Sequence, residues 1–190
     1  MSKASNLIVN MMNPFRLFCL LAYYAFARYL PPSYVPLLGK PSKWLRYHIC
    51  KHIFMKCGKN VNVERMAYFS SGCHLVIGDN SGIGVHAHLP SDIVIGSDVM
   101  MAPNCYVFAA NHRFDKTDIP MSQQGNSPRR VTVIEDDVWI GRNVMMTPGR
   151  HIARGTIVAA GCVLTKDFPP YSIVGGNPSK LIRTRQRRQQ

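Results

Sequence analysis

From Ile77 onward the chain places an aliphatic residue at every sixth position: Ile77, Ile83, Leu89, Ile95, Met101 and Val107. After an interruption the spacing returns at Ile134, Ile140, Met146, Ile152, Val158 and Leu164. Neither the helical nor the strand period produces such a row. Glycine often follows the aliphatic residue (Gly78, Gly84, Gly96, Gly141), and small or β-branched residues often stand four places on (Ser81, Ala87, Val99, Val138, Val144, Thr156). A weaker preface, Cys57-Gly58 and then Val63, comes before both rows. This grammar predicts a hexapeptide parallel β-helix, in which each hexad makes one short strand and a turn, and three hexads close a triangular coil. The aliphatic residue should fill the prism, the small one should pack near a corner, and glycine should permit the tight turn. The two rows and the preface predict about five coils, stacked into one continuous core. The competing reading, buried strands of a sandwich, gives no reason for strict six-spacing over twelve positions.

Two positions depart from the pattern. Arg150 stands four places after Met146, where a small apolar residue is expected, and Ala153 replaces the glycine after Ile152. Either the corner at Arg150 is open to solvent or the guanidinium points toward something anionic. Between Val107 and Ile134 the step is 27 residues instead of six, so 21 extra residues, about 113–133, form a loop thrown out from the prism. A polar loop of that length on a compact solenoid is usually functional.

Ahead of the repeats, Asn13 reads as a helix cap with Pro14 at the first helical position. The helix should run to about Leu30 and stop at Pro31-Pro32, and a second should cover Ser42 to Met55. Phe15, Leu17, Phe18, Leu20, Leu21, Tyr24 and Phe26 make the first helix apolar all round. It therefore packs against the β-helix or a neighbouring subunit, or lies in a membrane interface with Arg16 and Arg28 at headgroups and Tyr23, Tyr24 and Tyr29 at the boundary. The uncharged run Leu17 to Ala27 spans roughly 16 Å as a helix, too short to cross a bilayer.

Charge changes this picture at the ends only. No acidic residue precedes Glu64, while nine basic ones do, and Arg183, Arg185, Arg187 and Arg188 close the chain. The stretch 64–182 carries ten basic and ten acidic residues, so the net charge of +13 sits in the flanks. Such flanks suit an anionic membrane surface as well as nucleic acid, and the tail RTRQRRQQ has no reading module behind it, so no specific nucleic-acid partner is expected. Six scattered cysteines without a CxxC pair point to a reducing compartment. The N-terminus lacks the pattern of a cleavable leader. The chain divides into a basic, apolar helical segment (1–56), the repeat domain (57–182) and a basic tail (183–190), which reads as a disordered terminus.

The segments IGDNSGIG (77–84), MAPNCYVFAANHRFD (101–115), IPMSQQG (119–125), DDVWIG (136–141) and AAGCVLTKDFPPYSIVGGNPSKLI (159–182) resemble those of bacterial hexapeptide-repeat O-acetyltransferases. The likeness covers about 57–183 and is nearest to sugar and surface-polysaccharide acetyltransferases, related to the maltose and galactoside enzymes. It implies a left-handed β-helix, a homotrimer, acetyl-CoA as donor, and active sites between adjacent subunits.

His112 ends the sixth hexad, where the loop departs. By itself it would read as a surface histidine; the resemblance makes it the general base. A sugar hydroxyl is a poor nucleophile near neutral pH, and a neutral imidazole suits the removal of its proton. Asp115, Asp118 or a backbone carbonyl could hold the other ring nitrogen. The resemblance places Trp139, Gly141, Ala160, Thr165, Lys166 and Arg183 along the CoA channel, with Arg142 assisting. Gly141 and Ala160 would expose backbone to the pantetheine arm, and Lys166 and Arg183 would meet phosphates. For the acceptor, no Asn aligns with the one the related sugar enzymes use; Ser81, His86, Asp92 and Asn111 lie in the right region. His86 and His88 otherwise read as solvated positions on the prism.

Carbonic-anhydrase-type zinc chemistry, also found on this fold, needs a further His about five residues after the loop His. Position 117 is Thr, so no metal is expected. The expectation is thus an acetyl-CoA-dependent sugar O-acetyltransferase, cytoplasmic or peripheral on the inner face of a bacterial membrane, acting on a surface glycan or its lipid-linked precursor. A non-catalytic membrane scaffold and an enzyme using another acyl donor are the alternatives.

Overall fold

The computed structural model describes residues 13–185, so the predictions for 1–12 and for the tail beyond Arg185 lie outside the described residues. The row of aliphatic residues forms the axis of a parallel β-solenoid with three faces. On the first face β1 (Lys56–Cys57), β3 (Val76–Ile77), β5 (Val94–Ile95), β8 (Val133–Ile134) and β11 (His151–Ile152) pair in parallel. The second carries β2 (Asn62–Val63) on β4 (Gly82–Ile83), then β6 (Met100–Met101), β9 (Trp139–Ile140), β12 (Ile157–Val158) and β14 (Ser172–Gly175). The third is β7 (Tyr106–Val107), β10 (Met145–Met146) and β13 (Val163–Leu164), extended by bridges from Tyr106 to His88 and on to Tyr68. In each two-residue strand the second residue points inward, and from Val63 and Ile77 to Leu164 all these axial residues are buried.

There are six turns, not five. The first turn takes 20 residues from Cys57 to Ile77: Phe69 completes it six residues after Val63, and the spacing breaks in the eight-residue step from Phe69 to Ile77. The sixth starts at Phe168, bridged to Ile152, only four residues after Leu164. The long insertion leaves the stack undisturbed, because Ile95 pairs directly with Ile134. The chain does not fray at residue 183 as expected: β15 (Lys180–Thr184) runs antiparallel to β14, and Arg185 reaches Asp137 at 3.1 Å.

The glycines after the axial residues have a different purpose from the one expected. Positive φ falls to corner residues such as Asn80, Asp98 and Asn143, whose short polar side chains tolerate the left-handed region. Gly78 instead lets coils approach, since a Cβ there would lie 2.6 Å from the backbone of Gly96.

The first helix, α1 (Pro14–Ala25), is capped by the Asn13 side chain, which accepts from the Arg16 N–H at 2.7 Å. It breaks at Phe26 into a 3-10 turn, Ala27–Tyr29, so it is shorter than expected. The second, α2 (Gly39–Ile53), begins before Pro41, whose missing N–H costs nothing in a first turn. Both pack on the first coil. Tyr23 is buried against Phe69 and donates to Ala67 O at 2.9 Å; Tyr24 donates to Ser70 O at 2.7 Å. Arg46, fully buried, donates to the carbonyls of Val63, Leu30 and Pro31 and pairs with Glu64 at 3.5 Å. Arg16 donates to Ile53 O, and Arg28 lies over the Tyr24 and Tyr29 rings. The inner face of α1 is therefore committed to protein, and Tyr23 and Tyr24 do not face outward as the interfacial reading required. Phe15, Leu17, Phe18 and Leu21 remain exposed on its other side. Among the described residues no helix is long and apolar enough to cross a membrane.

Candidate active site

The insertion after β7 is an arm with internal structure. At its base Ser127 N donates to Asn111 O at 2.8 Å and Arg113 N to Gly125 O at 2.9 Å, so His112 lies opposite Asn126 in a short antiparallel pair. Farther out the Gln124 amide ties the tip together, donating to Lys116 O at 2.8 Å and Ile119 O at 3.1 Å. Arg129 fixes the returning strand to the prism by a two-pronged bond to Asp92. His112 is thus an exposed side chain on a held backbone. Asp115 turns to Arg113 at 3.4 Å, and among the described residues neither Asp115, Asp118 nor a carbonyl meets the His112 ring.

The two neighbours of His112 in the chain, Asn111 and Arg113, line a cavity of about 600 Å³ between the arm and the corner at 147–150. His112 is not among its walls, as the alternation of extended chain dictates. Arg130 and Arg150 complete the basic part of the lining, with Thr165 beside them. Gly149, with φ +68, leaves room for the Arg130 side chain to lie against it. Arg150 donates to Thr165 O at 2.9 Å and pairs with Asp167 at 3.4 Å. The corner is therefore not a solvated one. Sequence reasoning left Arg113 and Arg130 out of the site; the single signal was Arg150 in a small residue's place.

The expected donor residues fall into two groups. Trp139, half-exposed, aligns across the second face with Ile157, Ile173 and then Arg183, three strand spacings or roughly 14 Å away. Gly141 and Ala160 meet between coils: a Cβ on Gly141 would lie 2.5 Å from Ala160 N, so the glycine is required for stacking whatever it binds. Arg142 is exposed beside them, and its carbonyl accepts from Gly161 N at 2.8 Å. Thr165 belongs to the arm cavity, and Lys166 next to it sits 5.5 Å above the Phe168 ring.

The acceptor expectations need correction. Ser81 is buried, with its hydroxyl donating to Gly96 O at 2.7 Å and accepting from Val99 N at 3.0 Å, so it is a structural group. The Asp92 carboxylate is occupied by Arg129. His86 is an exposed corner residue at φ +55, and Asn111 lines the cavity under the arm. His88 is not solvated. It is half-buried between the Tyr68 and Tyr106 rings at 4.4 and 4.3 Å, and burial pushes its pKa down. No three His, Cys, Asp or Glu side chains among the described residues come together to hold a metal ion.

A triangular parallel β-solenoid is what a hexapeptide repeat builds. The bacterial transferase hexapeptide family (six repeats) matches residues 132–166. The galactoside O-acetyltransferase of Escherichia coli is 31% identical over 140 residues, 73% of this chain and 68% of that protein. A maltose O-acetyltransferase from Clostridium difficile superposes with a TM-score of 0.72 at 29% identity, covering 90% of this chain and 87% of the other. A Vibrio cholerae hexapeptide-repeat acetyltransferase solved with acetyl-CoA gives 0.72 at 26% identity, covering 97% and 92%. The chain belongs to the bacterial hexapeptide-repeat O-acetyltransferase family.

Proposed function

We propose that this chain moves an acetyl group from acetyl-CoA to a hydroxyl of a sugar, with His112 as general base. The observation that carries the reading is His112 itself, exposed on an arm whose backbone is pinned on both sides and whose root is ion-paired to the prism. A neutral imidazole nitrogen takes the hydroxyl proton as the sugar oxygen attacks the thioester carbon. The carbon–sulfur bond then breaks, and the proton passes from the imidazolium to the departing thiolate, leaving an acetyl ester and free CoA. Trp139, Gly141, Arg142, Ala160, Thr165, Lys166 and Arg183 form the donor side. A group that orients the second His112 nitrogen comes from an adjacent copy, in keeping with a homotrimer whose sites lie between subunits. Calorimetric titration of the protein with acetyl-CoA and CoA tests the reading. Micromolar binding near one site per chain supports it, and no binding to either overturns it.

The acceptor is a surface glycan or its lipid-linked precursor, reached at an anionic membrane. Two features favour this: the exposed apolar side of α1, and the turn before α2, which displays Leu37 at 94% exposure beside Leu38 with Lys40 and Lys43 next to them. No acidic residue precedes Glu64, and Glu64 is itself buried against Arg46, so this end offers no exposed side-chain carboxylate to repel lipid headgroups. Sedimentation with vesicles containing anionic lipid at low salt should carry the protein down, and neutral vesicles should not. Protein left in the supernatant with both removes the membrane reading.

A further inference from the structure

The cavity under the arm has a chemistry that acetyl transfer by itself does not require. Three guanidinium groups, Arg113, Arg130 and Arg150, line it, against one carboxylate, Asp115. Asp115 pairs with Arg113 at 3.4 Å with both side chains more than half exposed, a weak interaction in water. Arg150 is anchored by the Thr165 carbonyl and Asp167, and its Nε is buried without a hydrogen-bond partner. Arg130 makes no hydrogen bond or ion pair among the described residues. With Arg113 paired to Asp115 and Arg150 to Asp167, the surplus positive charge around the concavity is that of Arg130. Planar guanidinium groups match the oxygens of carboxylate and phosphate in two-pronged fashion. The Asn111 amide supplies a neutral donor in the same wall.

We propose that this cavity is a subsite for an oxyanion, a phosphate or carboxylate carried by a ligand that His112, one residue away on the opposite side of the strand, serves. The oxyanion has two sources of the same chemistry: a phosphate of the CoA donor, or an acidic group on the glycan acceptor, such as a uronic acid carboxylate or a sugar phosphate. Arg150 holds a fixed position while Arg130 is free to close on the ligand.

The first test is calorimetric titration of the full chain with inorganic pyrophosphate, in wild type and in Arg130→Ala, an exposed substitution away from the core. Saturable binding that weakens about tenfold or more in Arg130→Ala is expected. Lys59→Ala, an exposed cation on the first coil outside the proposed site, should leave it within about twofold. Arg150→Met, checked for a native circular dichroism spectrum, should weaken binding likewise. Absence of pyrophosphate binding, or binding that survives both arginine substitutions, overturns the proposal. Two further arms name the source. If Arg130→Ala weakens CoA and erases the difference between CoA and 3′-dephospho-CoA, the oxyanion is the donor's. If CoA is unmoved while glucuronate or galactose 6-phosphate loses its advantage over neutral galactose, it is the acceptor's. The pyrophosphate titration needs no transfer, so a protein that binds it through Arg130 yet never acetylates a sugar keeps the subsite and loses the enzymatic reading.

Discussion

Arg129 grips both carboxylate oxygens of Asp92, Nε to Oδ2 and Nη2 to Oδ1, each at 2.8 Å, and thereby ties the arm that carries His112 to the coil beneath it. The pair is partly exposed, so its worth to global stability is small, about 1 kcal/mol or less. On the reading that His112 is the base, its worth to catalysis is positional. Asp92→Asn is expected to leave the melting temperature within about 2 °C while lowering kcat/KM by about tenfold or more, because a misplaced base loses the near-attack geometry. Parallel thermal scans and transfer assays check it; equal losses in both would make Asp92 a merely structural residue.

Arg46 makes the opposite prediction. It is fully buried, donates to three carbonyls and pairs with Glu64. Burial alone would raise the Glu64 pKa, but hydrogen bonds from Ser33 and Asn62 and the Arg46 charge outweigh it and hold the carboxyl below its ordinary value. Arg46→Met leaves that carboxylate buried without its counter-charge and should cost about 3 kcal/mol or more in urea unfolding. Glu64, with a lowered folded-state pKa, contributes stability that is present above its ordinary pKa and fades as pH falls through the folded one.

The His88 stack gives a second pH signature. Burial lowers its imidazole below the ordinary 6.5, so the unfolded chain binds the proton more readily than the folded one. Stability is then unaffected by this group above about pH 6.5 and falls as pH drops below it. His88→Phe keeps a ring between Tyr68 and Tyr106 and should flatten that part of the profile. An unchanged slope between the two proteins would show that His88 does not carry the effect.

On the proposed donor side, Lys166 and Arg183 lie on different elements, the corner after β13 and the added strand β15. Lys166→Ala should raise the KM for acetyl-CoA about tenfold with little change in kcat, as expected when binding common to ground and transition states is removed. A fall in kcat alone would move Lys166 from donor binding to the chemical step.

Much of this fold could be read in the chain because the solenoid repeats a single packing problem. Each axial residue meets the same neighbours one coil away, so the solution recurs every six residues, and Ile95 still sits on Ile134 after the arm. The first turn showed only as a weak preface, because its third axial residue is the aromatic Phe69 and the next step, to Ile77, is eight residues; the last was hidden because Phe168 opens it only four residues after Leu164. Of the proposed site, His112 could be singled out because an imidazole names its own chemistry and the break in the spacing marks where the arm leaves. Ser81 and Asp92 were misread because their partners, Gly96 O and Arg129, lie one coil away or on the arm. The arginine cavity brings together residues from four separate stretches, and no local spacing reports such a meeting.

The role of His112 is decided by comparing wild type and His112→Ala in one preparation, measuring acetyl-CoA affinity by calorimetry and thiol release in the presence of acceptor sugars. Affinity should be equal within about twofold and transfer reduced by about 100-fold or more. A variant that binds acetyl-CoA and still transfers at near the wild-type rate would contradict that role.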